Sequence, residues 1–206
     1  GRIDDFDRRQ RIKDRSMEMV WRPSPSLGPS TEIFAGALAA APYCTPSGLN
    51  FNGPEGTSDL DNPVQNDERL EDTNVKLFVD QVVRDAYTYA NMSLGSHVMF
   101  MMGCDYMYDS AEVWYKNLDR LIDAVNADGR VVAQYSTPDI YAAAKHAESL
   151  SWTVKTVDQD FMPICQVQAT GSPDTGHMYW SGYFTSRPAL KYNVRSSRRE
   201  KFSFVV

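Results

Sequence analysis

The chain has 206 residues, 42% of them hydrophobic and 23% charged, which is a globular composition and enough length for one domain with a sizeable core. A net charge of −6 argues against nucleic acid as the principal partner, and no apolar run approaches the roughly 20 residues that a membrane span needs. Cys44, Cys104 and Cys165 are far apart and lack C-x-x-C spacing, so at least one is unpaired within the chain, buried, or bonded to something outside it.

The opening stretch GRIDDFDRRQRIKDR is charged throughout and has no signal-peptide character. Residues 3 to 20 predict a polar helix whose few apolar contacts are Ile3, Phe6, Met17 and Val20. Its basic residues are interleaved with Asp4, Asp5, Asp7 and Asp14, the pattern of a solvated face rather than a phosphate track. From RPSPSLGPS to about residue 66, Pro, Gly, Ser and Asn predict long loops around a short segment at Ile33 to Leu38. Residues 67 to 90 then predict a helix, with Val75, Phe78, Val79, Val82, Ala86 and Tyr89 at helical spacing.

The run HVMFMM, residues 97 to 102, is mostly apolar and predicts a strand covered on both faces, as in a parallel sheet or barrel. Gly103, Cys104 and Asp105 follow at once. A third helix carries Ala111, Trp114, Leu118, Leu121, Ile122 and Val125 on one face, and Gly129 ends it. Asp109 with Glu112 matches a capping box, which leaves Asp105 without a capping task. RVVAQYS, residues 130 to 136, predicts a second buried strand. Thr137-Pro138 then opens a helix over roughly 139 to 149, with His146 near its C-terminal end. Strand, helix, strand, helix implies a parallel α/β arrangement.

A carboxylate just past a strand end sits where α/β folds collect their ligands, although a loop aspartate can also merely hydrate a turn. The block HMYWSGYFTSRPALK, residues 177 to 191, clusters aromatics that suit either a sugar face or a packing corner. Asn91-Met92-Ser93 is a glycosylation sequon. The three histidines show no ligand-pair spacing, nothing places one beside Cys104, and no Gly-rich phosphate loop occurs. Glycoside cleavage needs two carboxylates, and here only Asp105 is well placed.

MGCDYMYDSAEVWYKNLDRLIDAVNADGRV, YSTPDIY and YWSGYFTSRPALK, with the opening GRIDDFDRRQRIKDRSMEMVWRPSPSLGPSTEIFAGAL, resemble the glycoside hydrolase family 38 α-mannosidases, above all the acidic, lysosomal type. The resemblance runs in order over residues 1 to about 191. It implies an α/β fold that is part of a parallel (β/α) barrel-like catalytic domain, incomplete in this chain, with residues 1–191 as its C-terminal portion and residues 192–206 as a divergent basic tail. It also implies a zinc-dependent, retaining exo-α-mannosidase acting on N-glycan oligosaccharides in the lysosome or a comparable acidic secretory compartment. Asp105 matches the general acid/base, and Arg2, Tyr43 and Trp180 match residues of the mannose site. The zinc-ligand motifs and the nucleophile do not occur here, so no metal ligand is assigned, and the remaining segments of the same enzyme are the expected partners. The alternative is a catalytically silent sugar-binding or structural subunit.

Overall fold

The computed structural model describes residues 3–24, 26–37, 44–46, 48–51, 63–105, 107–156, 161, 164–167, 177–179 and 182–202. Arg2, Tyr43 and Trp180 lie outside them. Helix α1, Asp5–Asp14, is capped by Asp4, whose carboxylate accepts from the Phe6 and Asp7 amides at 2.9 and 3.3 Å. It stops six residues before the sequence pattern predicts. Arg15 turns left-handed at φ 54, and its amide bonds back to the carbonyls of Arg11 and Ile12. Residues beyond it form strand β1, Glu18–Trp21, instead.

β1 is the centre of a mixed sheet. It pairs antiparallel with β2, Ile33–Gly36, and parallel with β3, Val154–Lys155, in the order β2-β1-β3. Met17 and Met19 are buried beneath it. β4, Cys165–Val167, and β5, His177–Tyr179, make a separate antiparallel pair, anchored to the α1 cap by the Cys165 amide donating to Asp4 Oδ2 at 3.1 Å.

Helix α2, Val75–Ala90, starts eight residues later than the pattern predicts, because residues 67 to 73 are taken up by turns. The Asn74 side chain accepts from the Gln65 amide and donates to the Pro63 carbonyl, which pins the chain at the helix entrance. α3, Ala111–Asp128, ends at Gly129 in the left-handed conformation, as its sequence requires. The Asp109–Glu112 capping box does not form. Ser110 occupies the cap without a side-chain bond, and Glu112 pairs with Lys116 one turn on. α4, Pro138–Ala147, opens on the expected proline. Gly182–Thr185 forms the short α5, and α6 runs from Pro188 to Phe202 without a break at residue 192.

The core lies between α2 and α3. Val79, Val82 and Val83 meet Trp114, Leu118, Leu121 and Val125, closed from the side by Leu49, Phe51 and Val64. Asn117 is buried among them, its carbonyl oxygen accepting from the Val64 amide at 2.7 Å and its amide donating to the Val113 carbonyl at 2.8 Å.

The two segments predicted as buried strands, 97–102 and 130–136, do not join a ladder among the described residues. A parallel strand needs a neighbour for its amides and carbonyls, and the observed sheet is built elsewhere, from residues 18–21, 33–36 and 154–155. Each segment lays one side on the helices: Phe100, Met102, Val131 and Ala133 pack against the core. The Asn126 side chain of α3 gives the Ala133 backbone both bonds that a neighbouring strand would supply, at 2.8 and 2.9 Å. The other side is open, with Val132 at 88% exposure. No barrel is formed by the described residues; the fold is a small α/β arrangement of a mixed three-stranded sheet and helices.

Candidate functional site: the turn that carries Asp105

Asp105 is exposed on a turn between the end of the extended segment and the start of α3. Three contacts define that turn. On its N-terminal side, Cys104 is bonded to Cys44, with the two Cα atoms 4.4 Å apart. On its C-terminal side, Tyr108 takes the left-handed conformation at φ 70, which costs a non-glycine residue on the order of 1 kcal/mol. Tyr108 is kept there by its hydroxyl, which donates to the Met102 carbonyl at 2.5 Å, and by its ring, stacked on Trp114 with centroids 4.4 Å apart. Burial, and then the neighbouring Tyr115, hold the Tyr108 phenol above its ordinary pKa, so it stays a donor at any working pH. A Cβ on Gly103 would sit 3.3 Å from the Tyr108 ring, so a larger residue there would push that ring back by a few tenths of an ångström.

From Tyr108 a row of rings leads through Tyr115, at 6.0 Å, to Tyr135, a further 6.3 Å away. Tyr135 lies at the end of the second extended segment and donates to Asp119 Oδ1 at 2.7 Å. Burial and that carboxylate both raise its pKa. The row therefore links the turn that carries Asp105 with the end of the 130–136 segment. Tyr108, Tyr115 and Tyr135 all lie within the stretches that carry the family resemblance, but composition and spacing give them no role of their own.

Among the other sequence-derived candidates, Arg2, Tyr43 and Trp180 fall outside the described residues, so their place relative to Asp105 is not part of the geometry. Tyr179 and Tyr183, on either side of Trp180, are 67% and 69% exposed, which is not the environment of a buried packing corner. His146 faces the Phe34 ring at 4.9 Å, Cys165 is buried, and Cys104 is consumed in a disulfide; none of them is arranged as a nucleophile–base pair.

Comparison with known proteins decides the family. Residues 1–166 match the glycosyl hydrolases family 38 N-terminal domain. This chain belongs to that family. An Arabidopsis thaliana protein named probable alpha-mannosidase is 44% identical over 196 residues, which is 95% of this chain and 18% of the relative. The alpha-mannosidase of Canavalia ensiformis is 40% identical over 187 residues, covering 91% of this chain and 18% of the relative. The lysosomal alpha-mannosidase of Dictyostelium discoideum is 38% identical over 200 residues, covering 96% and 18%. The chain thus spans less than a fifth of the length of these relatives.

Zinc is the cation associated with family 38. Tetrahedral zinc takes about four N, S or O ligands, and a catalytic site keeps about three from the protein. Among the described residues no three His, Cys, Asp or Glu side chains come together in a way that could hold an ion. The described part of this family 38 chain does not fit the metal, and no chemical step is routed through it below.

Tyr108→Phe should keep the stack on Trp114 and lose only the bond to Met102. The expected cost is about 1 kcal/mol of stability. Urea unfolding of the two proteins side by side measures it, and an unchanged midpoint would mean that the hydroxyl does not clamp the turn.

Proposed function

We propose that this chain is the acid-bearing portion of a retaining exo-α-mannosidase that removes terminal α-mannose from N-glycan oligosaccharides. The observation that carries the reading is the presentation of Asp105: an exposed carboxyl on a turn held from both sides, in a chain of family 38. In this reading Asp105, protonated, gives its proton to the glycosidic oxygen as the bond to mannose breaks. As a carboxylate it then takes a proton from the water that releases the sugar. The attacking carboxylate and the zinc ligands come from the remaining segments of the same enzyme. The two extended segments belong to a (β/α) barrel-like domain that those segments complete, which accounts for their open sides. Residues 1–191 are the domain's C-terminal portion, with residues 192–206 as an appended basic tail.

Arg2, Tyr43 and Trp180 serve the mannose site in the same proposal: the guanidinium orients hydroxyls or carboxylates, the phenol donates a hydrogen bond, and the indole covers the apolar sugar face. The lysosome or a similar acidic compartment supplies the proton that Asp105 needs. The Cys44–Cys104 bond supports an oxidising compartment, and Asn91 of the sequon is exposed at the end of α2.

Two assays test this. With the complete enzyme, the first-formed mannose followed by proton NMR should be the α anomer; initial β-mannose would refute retention. With the 206-residue chain alone, added zinc should produce no release of mannose from α-mannosides, and zinc-stimulated release would overturn the division of labour. A complete enzyme inert toward every α-mannoside would instead favour a silent, sugar-binding role.

A further inference from the structure

We propose that the Cys44–Cys104 disulfide is a positioning device for Asp105, one that fixes where the proton donor stands rather than only stabilising the fold; the proposal rests on the reading of Asp105 as that donor. Cys104 is the residue immediately before Asp105, in a segment that no sheet ladder holds among the described residues. Pairing with the remaining segments, as proposed above, would set the register of the strand but not of the turn beyond its end, so the turn needs an anchor of its own. The disulfide supplies one. Cys44 stands on the stretch of chain that leads to Leu49 and Phe51, both buried in the core, and the Phe51 ring meets Trp114 edge-on at 5.6 Å. The opposite face of the problem is solved by the same indole: Trp114 stacks on Tyr108, whose hydroxyl reaches back to Met102.

Both sides of Asp105 are therefore referred to one fully buried ring. Running from Cys104 through Cys44, Phe51, Trp114 and Tyr108 to Met102, the contacts form a closed circuit, and Asp105 is on the short arc that the circuit spans. Opening the circuit at the disulfide removes the anchor on the Cys104 side of the turn. A proton donor must stand within hydrogen-bond reach of the leaving oxygen, and a misplacement of about 1 Å costs on the order of 10²-fold in rate.

The test compares Cys44→Ser, Cys104→Ser and the double variant with the parent, in the complete enzyme. It uses two substrates: methyl α-mannoside, whose leaving oxygen needs a proton, and dinitrophenyl α-mannoside, whose leaving group departs without one. The expected result is a fall in kcat/KM of roughly 10- to 10²-fold on the methyl glycoside and less than about 3-fold on the dinitrophenyl glycoside, similar in all three variants. Equal falls on both substrates would show a merely structural bond, and no fall on either would show that the bond does not place Asp105; each overturns the proposal.

Should the variants fail to fold, the parent is treated with dithiothreitol, which closes to its cyclic disulfide as Cys44 and Cys104 become thiols, and the same split is read before and after. Alkylation in denaturant with mass spectrometry counts the thiols. Without reductant, Cys104 and Cys44 should stay unlabelled; labelling of both would overturn the proposal at its root. Asp105→Asn, run in parallel, separates the two levels. If it lacks the substrate split, the donor reading itself falls and this proposal with it. If it shows the split while the cysteine variants do not, only the positioning role is lost.

Discussion

Replacing Asp105 by Asn in the complete mannosidase proposed here should lower kcat/KM for an alkyl α-mannoside by about 10²–10⁴-fold, the usual contribution of a positioned general acid. The amide is nearly isosteric, so the turn that carries it should survive. Among its anchors are the Cys44–Cys104 bond, the Tyr108 hydroxyl on Met102 and the stack on Trp114, and these three do not use the residue-105 side chain. What changes is the proton. An amide cannot transfer one to the departing oxygen, so the substrate must leave as an unprotonated alkoxide. An Asp105→Asn enzyme that turns over alkyl mannosides at the parental rate would clear Asp105 of the role.

The second large effect concerns the joint between the sheet and α4. Glu18, in the central strand, is buried, and its Oε1 accepts from the Tyr141 hydroxyl at 2.7 Å and the Ser93 hydroxyl at 3.2 Å. The Lys145 ammonium, with no exposed surface, lies 4.0 Å from Glu18 Oε2, donates to the Leu94 carbonyl, and faces the Tyr141 and Trp152 rings. Glu18→Ala removes the shared acceptor and leaves the buried Lys145 without its counter-charge and the buried Ser93 and part-buried Tyr141 hydroxyls short of a partner. The expected loss is about 3–5 kcal/mol, read as a lowered urea midpoint. Glu18→Gln keeps an acceptor for both hydroxyls and should cost less. A midpoint shift near zero for Glu18→Ala would show that the cluster contributes nothing.

The same cluster has a pH signature. Burial holds the Lys145 ammonium below its ordinary pKa, with Glu18 and Glu148 only partly offsetting it. Between that lowered value and 10.5, the unfolded chain binds more protons at this lysine than the folded one. Stability therefore rises with pH through this window, relative to Lys145→Met. Chemical denaturation of the pair at neutral and mildly alkaline pH should show the difference moving in favour of the parent; movement the other way would contradict a depressed lysine.

How much of this was legible in the sequence depended on whether the signal was local. α3 and α4 were readable because the apolar period, the Gly129 stop and the Thr137-Pro138 start are all written within the helix itself. β1 was not. Its buried Glu18 looks like a surface residue until Tyr141, 123 positions away, supplies the hydroxyl that justifies burying it. The runs at 97–102 and 130–136 carry the composition of buried strands, yet neither joins a ladder among the described residues. Pairing, however, is a property of neighbours, and a run of apolar side chains cannot say which backbone lies beside it. Asp105 was conspicuous as an acid after an apolar run. Asp109 does not cap α3, since Ser110 takes that position. The devices that hold the turn were invisible for physical reasons: cysteine connectivity is not encoded in spacing, and nothing local marks Tyr108 for a left-handed backbone.

Asp105 is proposed as the group that protonates the leaving oxygen, and a series of aryl α-mannosides of graded phenol acidity tests that role most directly. For the parent enzyme, kcat/KM should depend only shallowly on the acidity of the leaving phenol, whereas for Asp105→Asn it should fall steeply as the phenol becomes less acidic, the two converging at the most acidic phenols. Parallel dependences for the two enzymes would contradict it.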